Sequence, residues 1–319
     1  MTSILRVKDL KMYYNTAEGY VRAVDGVSLE IKKGEAMGLV GESGCGKTSI
    51  GLSILRLLPP NGRIVDGEIF FDGEELISRS EEGMRGVRWK GISMIFQAAM
   101  NALNPVYRVE DQIIEAIVLH EHVTKEEAKE KVTKLYKLVG MDPPRAREYP
   151  HEYSGGMKQR AIIAMALACD PKLIIADEPT TALDVIVQDQ IIGEIKELQK
   201  TLQMTMMYLS HDISVIAQAC DSIAVMYAGK IVEYADSLTL FKNPLHPYTK
   251  GLLASFPSIK GPLKRLTPIP GEPPNLLSPP RGCRFHPRCP YLMGLCKDNE
   301  PAFKEIESKH YAACHLYTS

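Results

Sequence analysis

Gly41-Glu42-Ser43-Gly44-Cys45-Gly46-Lys47-Thr48 fits G-x-x-x-x-G-K-[ST], the spacing of a phosphate-binding loop. Its flanks supply the context that such a loop requires. Residues 35–40 are a short, mostly apolar run of the kind that forms a buried strand. Ile50, Ile54, Leu57 and Leu58 then recur at helical spacing until Pro59-Pro60, where the helix is expected to stop. A strand, a glycine loop and a helix in this order aim several backbone N–H groups and a helix N-terminus at one point, which suits a polyphosphate. Lys47 is placed to reach the β- and γ-phosphates and the Thr48 hydroxyl to hold Mg²⁺. The competing reading is a chance glycine turn, and the four filled positions in the right context argue against it.

The chain of 319 residues is long enough for one large domain or two modest ones. Its formal net charge is −1 with both signs interspersed, so the overall field favours neither nucleic acid nor an anionic membrane surface. The best apolar run, residues 161–169, is far too short to span a membrane. Residues 1–10 carry charges at Arg6, Lys8 and Asp9 and have no apolar centre, unlike a signal peptide. A soluble cytoplasmic chain is expected, with any membrane role exerted through partners.

Along the chain, residues 4–14 and 23–31 alternate apolar and polar like half-buried strands, and residues 65–73 read as another strand bracketed by two Asp-Gly turns. The front is therefore partly antiparallel. From about residue 101 to 159 the character turns helical: Ile113, Ile114, Ile117 and Val118 share a face, Thr124 with Glu127 forms a capping box, and Gly140 is the stop. Residues 172–177 are a buried strand ending in Asp177 and Glu178. A helix from about 184 to 201, a strand at 204–209, a helix near 213–219 and a strand at 222–227 complete an α/β core.

Several motifs in fixed order resemble the ATP-binding subunit of ABC transporters over roughly residues 1–255. Tyr153-Ser154-Gly155-Gly156-Met157-Lys158-Gln159-Arg160 resembles the ABC signature, with Tyr and Met where Leu and Gln are commonest. Residues 174–184 resemble the Walker B strand running into the D-loop at Asp184. Gln97 after Ile95-Phe96 resembles the Q-loop, and His211 after Leu209-Ser210 the switch histidine. The resemblance implies an ABC-type P-loop ATPase core of the α/β class. Its first part, residues 1–98, carries an antiparallel β subdomain, and residues 99–160 are an inserted helical subdomain. Residues 161–256 are the second part of the core, and residues 257–319 are a proline-rich linker with a small cysteine-rich extension.

The same resemblance implies that Ser43, Gly44, Cys45, Gly46, Lys47, Thr48, Ser49, Gln97 and His211 bind ATP, with Tyr14 stacking on adenine ahead of Tyr13 and Tyr20. Asp177 at a strand end can hold Mg²⁺ through its water shell, joined by Thr48 and Gln97. Glu178 can orient and deprotonate a water in line with the γ-phosphate. Taken singly, the carboxylates would as often be a solvated strand end, and His211 a helix-capping or surface histidine. The implied catalytic set is Glu178, His211, Gln97 and Lys47. Ser154, Gly155 and Gly156 face the nucleotide of a partner subunit in the family, although Ser-Gly-Gly also makes an ordinary helix cap.

A narrower resemblance lies outside these motifs. Residues 97–105, Tyr149-Pro150-His151-Glu152-Tyr153 and Asn243-Pro244-Leu245-His246-Pro247-Tyr248-Thr249-Lys250 resemble the subfamily that serves dipeptide and oligopeptide importers, some members of which import nickel or oligosaccharides. It implies two permease subunits contacted near residues 98–107, and a second ATPase that is the same chain or a different one. It also implies an external solute-binding protein and a place on the cytoplasmic face of the membrane. The rival class is a soluble ABC-type ATPase acting on ribosomes or DNA. A single nucleotide domain, no coiled-coil insertion and no basic patch argue against it and against a nucleic-acid partner.

Residues 257–280 hold eight prolines and read as an extended linker. Four of the chain's seven cysteines follow, Cys283, Cys289, Cys296 and Cys314, spaced C-x5-C-x6-C-x17-C. Disulfides are disfavoured in a reducing cytosol. Zinc usually takes a C-x2-C clip, absent here, though His286, His310 and His315 could substitute. Four thiolates without a short clip can hold a [4Fe–4S] cluster, which the resemblance of the tail to dipeptide-permease ATPases also implies. Such a group would staple a tail too short to bury enough surface alone. Cys45 is expected to be sensitive to alkylation, and Cys169 and Cys220 to be buried packing.

Overall fold

The computed structural model describes residues 2–97, 102–181, 183–255 and 269–318. Residues 98–101 of the expected permease-contacting stretch, Ala182 of the Walker B stretch and residues 257–268 of the proline-rich segment lie outside the described residues. The chain begins with β1 (Ser3–Thr16), β2 (Gly19–Lys32), β3 (Ala36–Val40), α1 (Lys47–Leu55), β4 (Gly62–Phe71) and β5 (Glu74–Glu75). Next come α2 (Glu81–Val87), β6 (Ile92–Ile95), α3 (Val109–Glu121), α4 (Lys125–Leu138), α5 (Gly155–Ala166), β7 (Leu173–Asp177) and α6 (Val185–Leu202). β8 (Thr205–Ser210), α7 (Ile213–Ala219), β9 (Ser222–Tyr227), β10 (Lys230–Asp236), α8 (Ser237–Lys242) and α9 (Pro247–Ala254) follow. β11 (Lys304–Glu307), β12 (His310–Ala312) and α10 (His315–Thr318) end the chain.

Two compact units result. The first combines Met1–Ile77 with Leu209–Ser319, and the second is Ser78–Tyr208. In the first unit an antiparallel sheet runs in the order β2-β1-β4-β5, and a second set of strands runs β11-β12-β10-β9-β3. β3 and β9 are parallel, and every residue of both is buried, as fits a strand covered on both faces. The cysteine-bearing tail is no separate appendage: β12 pairs with β10 at Glu233–Ala312 and Tyr234–Tyr311. Residues 269–280 have no regular structure, and Arg22 N–H donates to Leu276 O at 3.0 Å, which lays that segment along β2.

Two local readings of the sequence need correction. Asp66-Gly67 is not a turn; it lies inside β4, opposite a bulge in β1 between Lys8 and Lys11. Gly67 is required there because its φ is +98° and a Cβ would sit 2.6 Å from Leu10 Cα. The helix after the phosphate loop also ends early. Arg56 adopts φ +52° and donates its N–H to Leu52 and Ser53 carbonyls, so Leu57 and Leu58 fall beyond it while Ile50 and Ile54 are fully buried.

In the second unit, β6 and β7 pair in parallel, and α3 and α4 pack on each other and on α5. The Thr124–Glu127 capping box forms as read, and α4 buries Ala128, Val132, Leu135 and Tyr136. Full burial of each larger apolar side chain contributes about 1.5–3 kcal/mol, which outweighs the modest helix propensity of a segment this polar.

Candidate functional site

The phosphate loop sits in the first unit between β3 and α1. Gly46 caps α1 with φ +110°, and a Cβ there would lie 2.0 Å from Ala23 O; one on Gly41 would lie 2.1 Å from Met226 O. No other residue fits either position, because backbone rather than a movable side chain fills the space. Gly44, at φ +79°, instead has nothing within 4 Å of its would-be Cβ. Lys47 is 5% exposed and curls over the loop, donating to Gly41 O at 2.7 Å and Glu42 O at 3.2 Å. Cys45 departs from expectation. It is buried and its thiol is pushed up by burial in spite of the Lys47 ammonium, so it is a poorly reactive packing group like Cys169.

Of the three candidate tyrosines, Tyr14 is the one joined to this helix: its hydroxyl lies 3.0 Å from Ser49 Oγ. Tyr13 points to the other side of the strand and donates to Asp25 at 2.7 Å, while Tyr20 is exposed. His211 is exposed just after β8. Asp212 beside it caps α7, accepting from Ser214 N–H at 2.8 Å.

The loop residue Glu42 is held from elsewhere in the same unit, which the sequence did not disclose. Its N–H donates to the Tyr248 hydroxyl at 2.9 Å. Its carboxylate accepts both terminal nitrogens of Arg288, at 2.7 and 2.9 Å. The His-Pro-Tyr segment explains the first contact: His246 Nδ1 accepts from Tyr248 N–H, Pro247 occupies the first helical position, and Tyr248 is thereby aimed at the loop. His246 and Pro247 carried a readable helix-start signal. Arg288 carried none, since its partner lies 246 residues away.

The second unit holds the carboxylates. Asp177 closes β7 and is 1% exposed, and Glu178 follows in the left-handed region at φ +48°, a conformation that non-glycine residues adopt at a cost. Glu178 Oε2 accepts from Gln97 Nε2 at 2.9 Å and from Thr181 Oγ1 at 3.1 Å. Gln97 and Glu178, 81 residues apart, are therefore brought together. Ser154 caps α5 through Met157 N–H, and Asp184 caps α6 through Val187 N–H at 3.0 Å. Gly156 lies against α6, where a Cβ would be 3.1 Å from Val187 Cγ1. The two unusual signature residues share one partner. Tyr153 donates to Arg145 O at 2.7 Å, and Arg145 Nη1 lies 3.4 Å from Met157 Sδ.

The four tail cysteines are unpaired as disulfides. Burial pushes Cys283 up to about 11, with the thiols of Cys296, Cys314 and Cys289 adding to the rise. A ready-made ion site is not present: among the described residues no group of three or more His, Cys, Asp or Glu could hold a metal ion. His310, considered as a zinc ligand, instead sets Nε2 2.8 Å from buried Glu233, and His315 Nε2 lies 2.9 Å from Asn299 O. Among the described residues no helix is long and apolar enough to cross a membrane.

Residues 24–181 match the family described as ABC transporter, and residues 232–296 match the oligopeptide/dipeptide transporter C-terminal region. The dipeptide transport ATP-binding protein DppD of Caldanaerobacter subterraneus subsp. tengcongensis is 43% identical over 319 residues, covering 99% of this chain and 98% of that protein. The oligopeptide transport ATP-binding protein OppD of Bacillus subtilis is 46% identical, covering 99% and 89% respectively. Among solved structures, the ATP-binding cassette MJ0796, a dimer in a post-hydrolysis state bound to ADP and Pi, superposes with a TM-score of 0.66 at 26% identity, covering 73% of this chain and 98% of that one. With residues 24–181 and 232–296 both matched and relatives 43–46% identical along nearly the whole chain, the chain belongs to the ATP-hydrolysing subunits of ABC transporters, in the dipeptide and oligopeptide family.

Proposed function

We propose that this ATPase drives uptake of short peptides through two permease subunits, paired head to tail with a second ATP-binding subunit and supplied by an external solute-binding protein. The match over residues 232–296 carries the choice of solute class, because it lies outside the motifs common to all ABC ATPases. In this reading Lys47 and the loop N–H groups bind the β- and γ-phosphates, Tyr14 stacks on adenine, and Ser154, Gly155 and Gly156 contact the nucleotide of the partner. Glu178 orients and deprotonates the attacking water, Gln97 holds the Glu178 carboxylate in place, and His211 contacts the γ-phosphate. Thr48, Gln97 and Asp177 would hold Mg²⁺, which neutralises charge on the phosphates; an ion carried in on a nucleotide needs no three-residue protein cage.

The four tail cysteines would ligate a [4Fe–4S] cluster in preference to zinc. The reading is supported by the mutual influence of their thiols, Cys296, Cys314 and Cys289 each raising Cys283, and by the lack of a C-x2-C clip in their spacing. Iron and acid-labile sulfide measured in anaerobically purified protein test this; their absence would remove the cluster.

For the central reading, Glu178→Gln should abolish ATP turnover while preserving ATP-dependent pairing, since the amide keeps the shape and loses the base. Unchanged turnover would remove Glu178 from its role. A mild-detergent pull-down of the tagged chain should recover two multi-span permeases, and peptide uptake should stop when the chain is lost. Recovery of ribosomal or DNA-repair proteins without a membrane subunit would overturn the importer reading.

A further inference from the structure

We propose that Arg288 is a positioning residue for the phosphate loop: through Glu42 it holds the loop carbonyls that orient the Lys47 ammonium. The inference rests on the reading of Lys47 as the phosphate-binding lysine. The guanidinium is used on three sides. Nη1 and Nη2 fork onto Glu42 Oε2 and Oε1 at 2.7 and 2.9 Å, Nε donates to Pro270 O at 2.8 Å, and Nη1 also reaches the Tyr227 hydroxyl at 3.3 Å. The side chain is 5% exposed and held by these contacts, and a planar fork transmits its orientation to a carboxylate better than a point charge does.

Glu42 is the residue on which this restraint acts. Its carboxylate is fixed by Arg288 and its N–H by Tyr248, while its carbonyl is one of two that receive Lys47. The other, Gly41 O, precedes Glu42 by one peptide unit and lies 2.7 Å from Lys47 Nζ. A shift of Glu42 therefore moves both acceptors, and the ammonium with them. Arg288 touches the loop only through Glu42 among the contacts observed, and its backbone lies in the one-turn helix His286–Arg288 within the cysteine-bearing tail. An arginine that merely pinned the tail would need no bidentate contact with the loop that grips phosphate.

The test is steady-state ATP hydrolysis by the full-length chain in its assembled transporter, with KM and kcat separated. Arg288→Met should raise KM for ATP about 10-fold and leave kcat within about two-fold, because mispositioned loop carbonyls weaken nucleotide binding. Arg288→Lys should recover part of the loss. In a Glu42→Gln background, Arg288→Met should add no more than about two-fold, since the pair is already broken. An unchanged KM in Arg288→Met, or an undiminished added effect in the Glu42→Gln background, would overturn the proposal. If Arg288→Met does not fold, Glu42→Gln alone decides, breaking the same pair from the loop side, and an unchanged KM again overturns it. Lys47→Ala runs alongside. If Lys47→Ala leaves hydrolysis intact, the reading of the loop itself fails; if it abolishes hydrolysis while KM is unmoved at Arg288, only the present inference fails.

Discussion

The hydroxyl of Tyr248, on α9, accepts a hydrogen bond from the backbone N–H of Glu42 at 2.9 Å, joining the His-Pro-Tyr segment to the phosphate loop across 206 residues of chain. Tyr248 is fully buried, and burial pushes its phenol well above the ordinary range, so it stays neutral and keeps its proton. Losing the acceptor leaves a loop N–H without its partner, at about 1–2 kcal/mol. Tyr248→Phe is expected to weaken ATP binding about 5-fold or more, measured by nucleotide titration. Unaltered affinity would show that the contact is packing alone.

Gly46 tests whether the loop tolerates any side chain. Alanine at φ +110° with a Cβ 2.0 Å from Ala23 O must displace backbone. Strain of about 1–3 kcal/mol in the loop itself predicts a 10- to 100-fold loss of nucleotide affinity. Gly44→Ala should be milder, since its added methyl meets no protein atom within 4 Å and bears only the cost of a positive φ.

His246 makes stability depend on pH. Burial, aided by the Lys250 charge, lowers it from the usual histidine value to about 3, and the neutral ring is the form whose Nδ1 can accept from Tyr248 N–H. The folded value lies below the unfolded one of about 6.5, so the unfolded chain takes up the proton first. The contribution of His246 is complete above about pH 6.5 and is lost progressively as pH falls toward 3, by up to about 1.4 kcal/mol per pH unit. Asparagine keeps a capping acceptor without titrating. Denaturant melts of His246→Asn between pH 6.5 and 4 should therefore be flatter than those of the parent chain.

Tyr153 and Tyr136 form a buried relay in the second unit, with hydroxyls 2.9 Å apart and Tyr153 donating onward to Arg145 O. Tyr153→Phe breaks both links and should lower the stability of that unit by about 1–3 kcal/mol. Adding Tyr136→Phe should cost less than the two changes summed, as expected for partners in one network. Strict additivity in chemical denaturation would contradict the relay.

Much of this was legible locally. The phosphate loop, the Thr124–Glu127 capping box, the Ser154 cap and the strand into Asp177 follow from spacing within about ten residues, where side-chain periodicity and turn chemistry act directly on the backbone. Misreadings came where a local signal was answered by a distant one. Asp66-Gly67 has turn composition, yet β1 recruits it into a ladder; Leu57 continues a helical period, yet the left-handed Arg56 has already closed the helix. Cys45 lies in an otherwise reactive-looking loop, yet the folded chain buries it.

What only the tertiary structure decided is who holds the site in place. Gln97 meets Glu178 across 81 residues, Tyr248 meets Glu42 across 206, and Arg288 meets Glu42 across 246. The sequence by itself determined the chemical groups and the local backbone that presents them, because those depend on neighbours a few residues apart. The restraints upon them depend on which distant segments become neighbours after folding, and neither the spacing nor the composition of a single chain encodes that pairing in readable form.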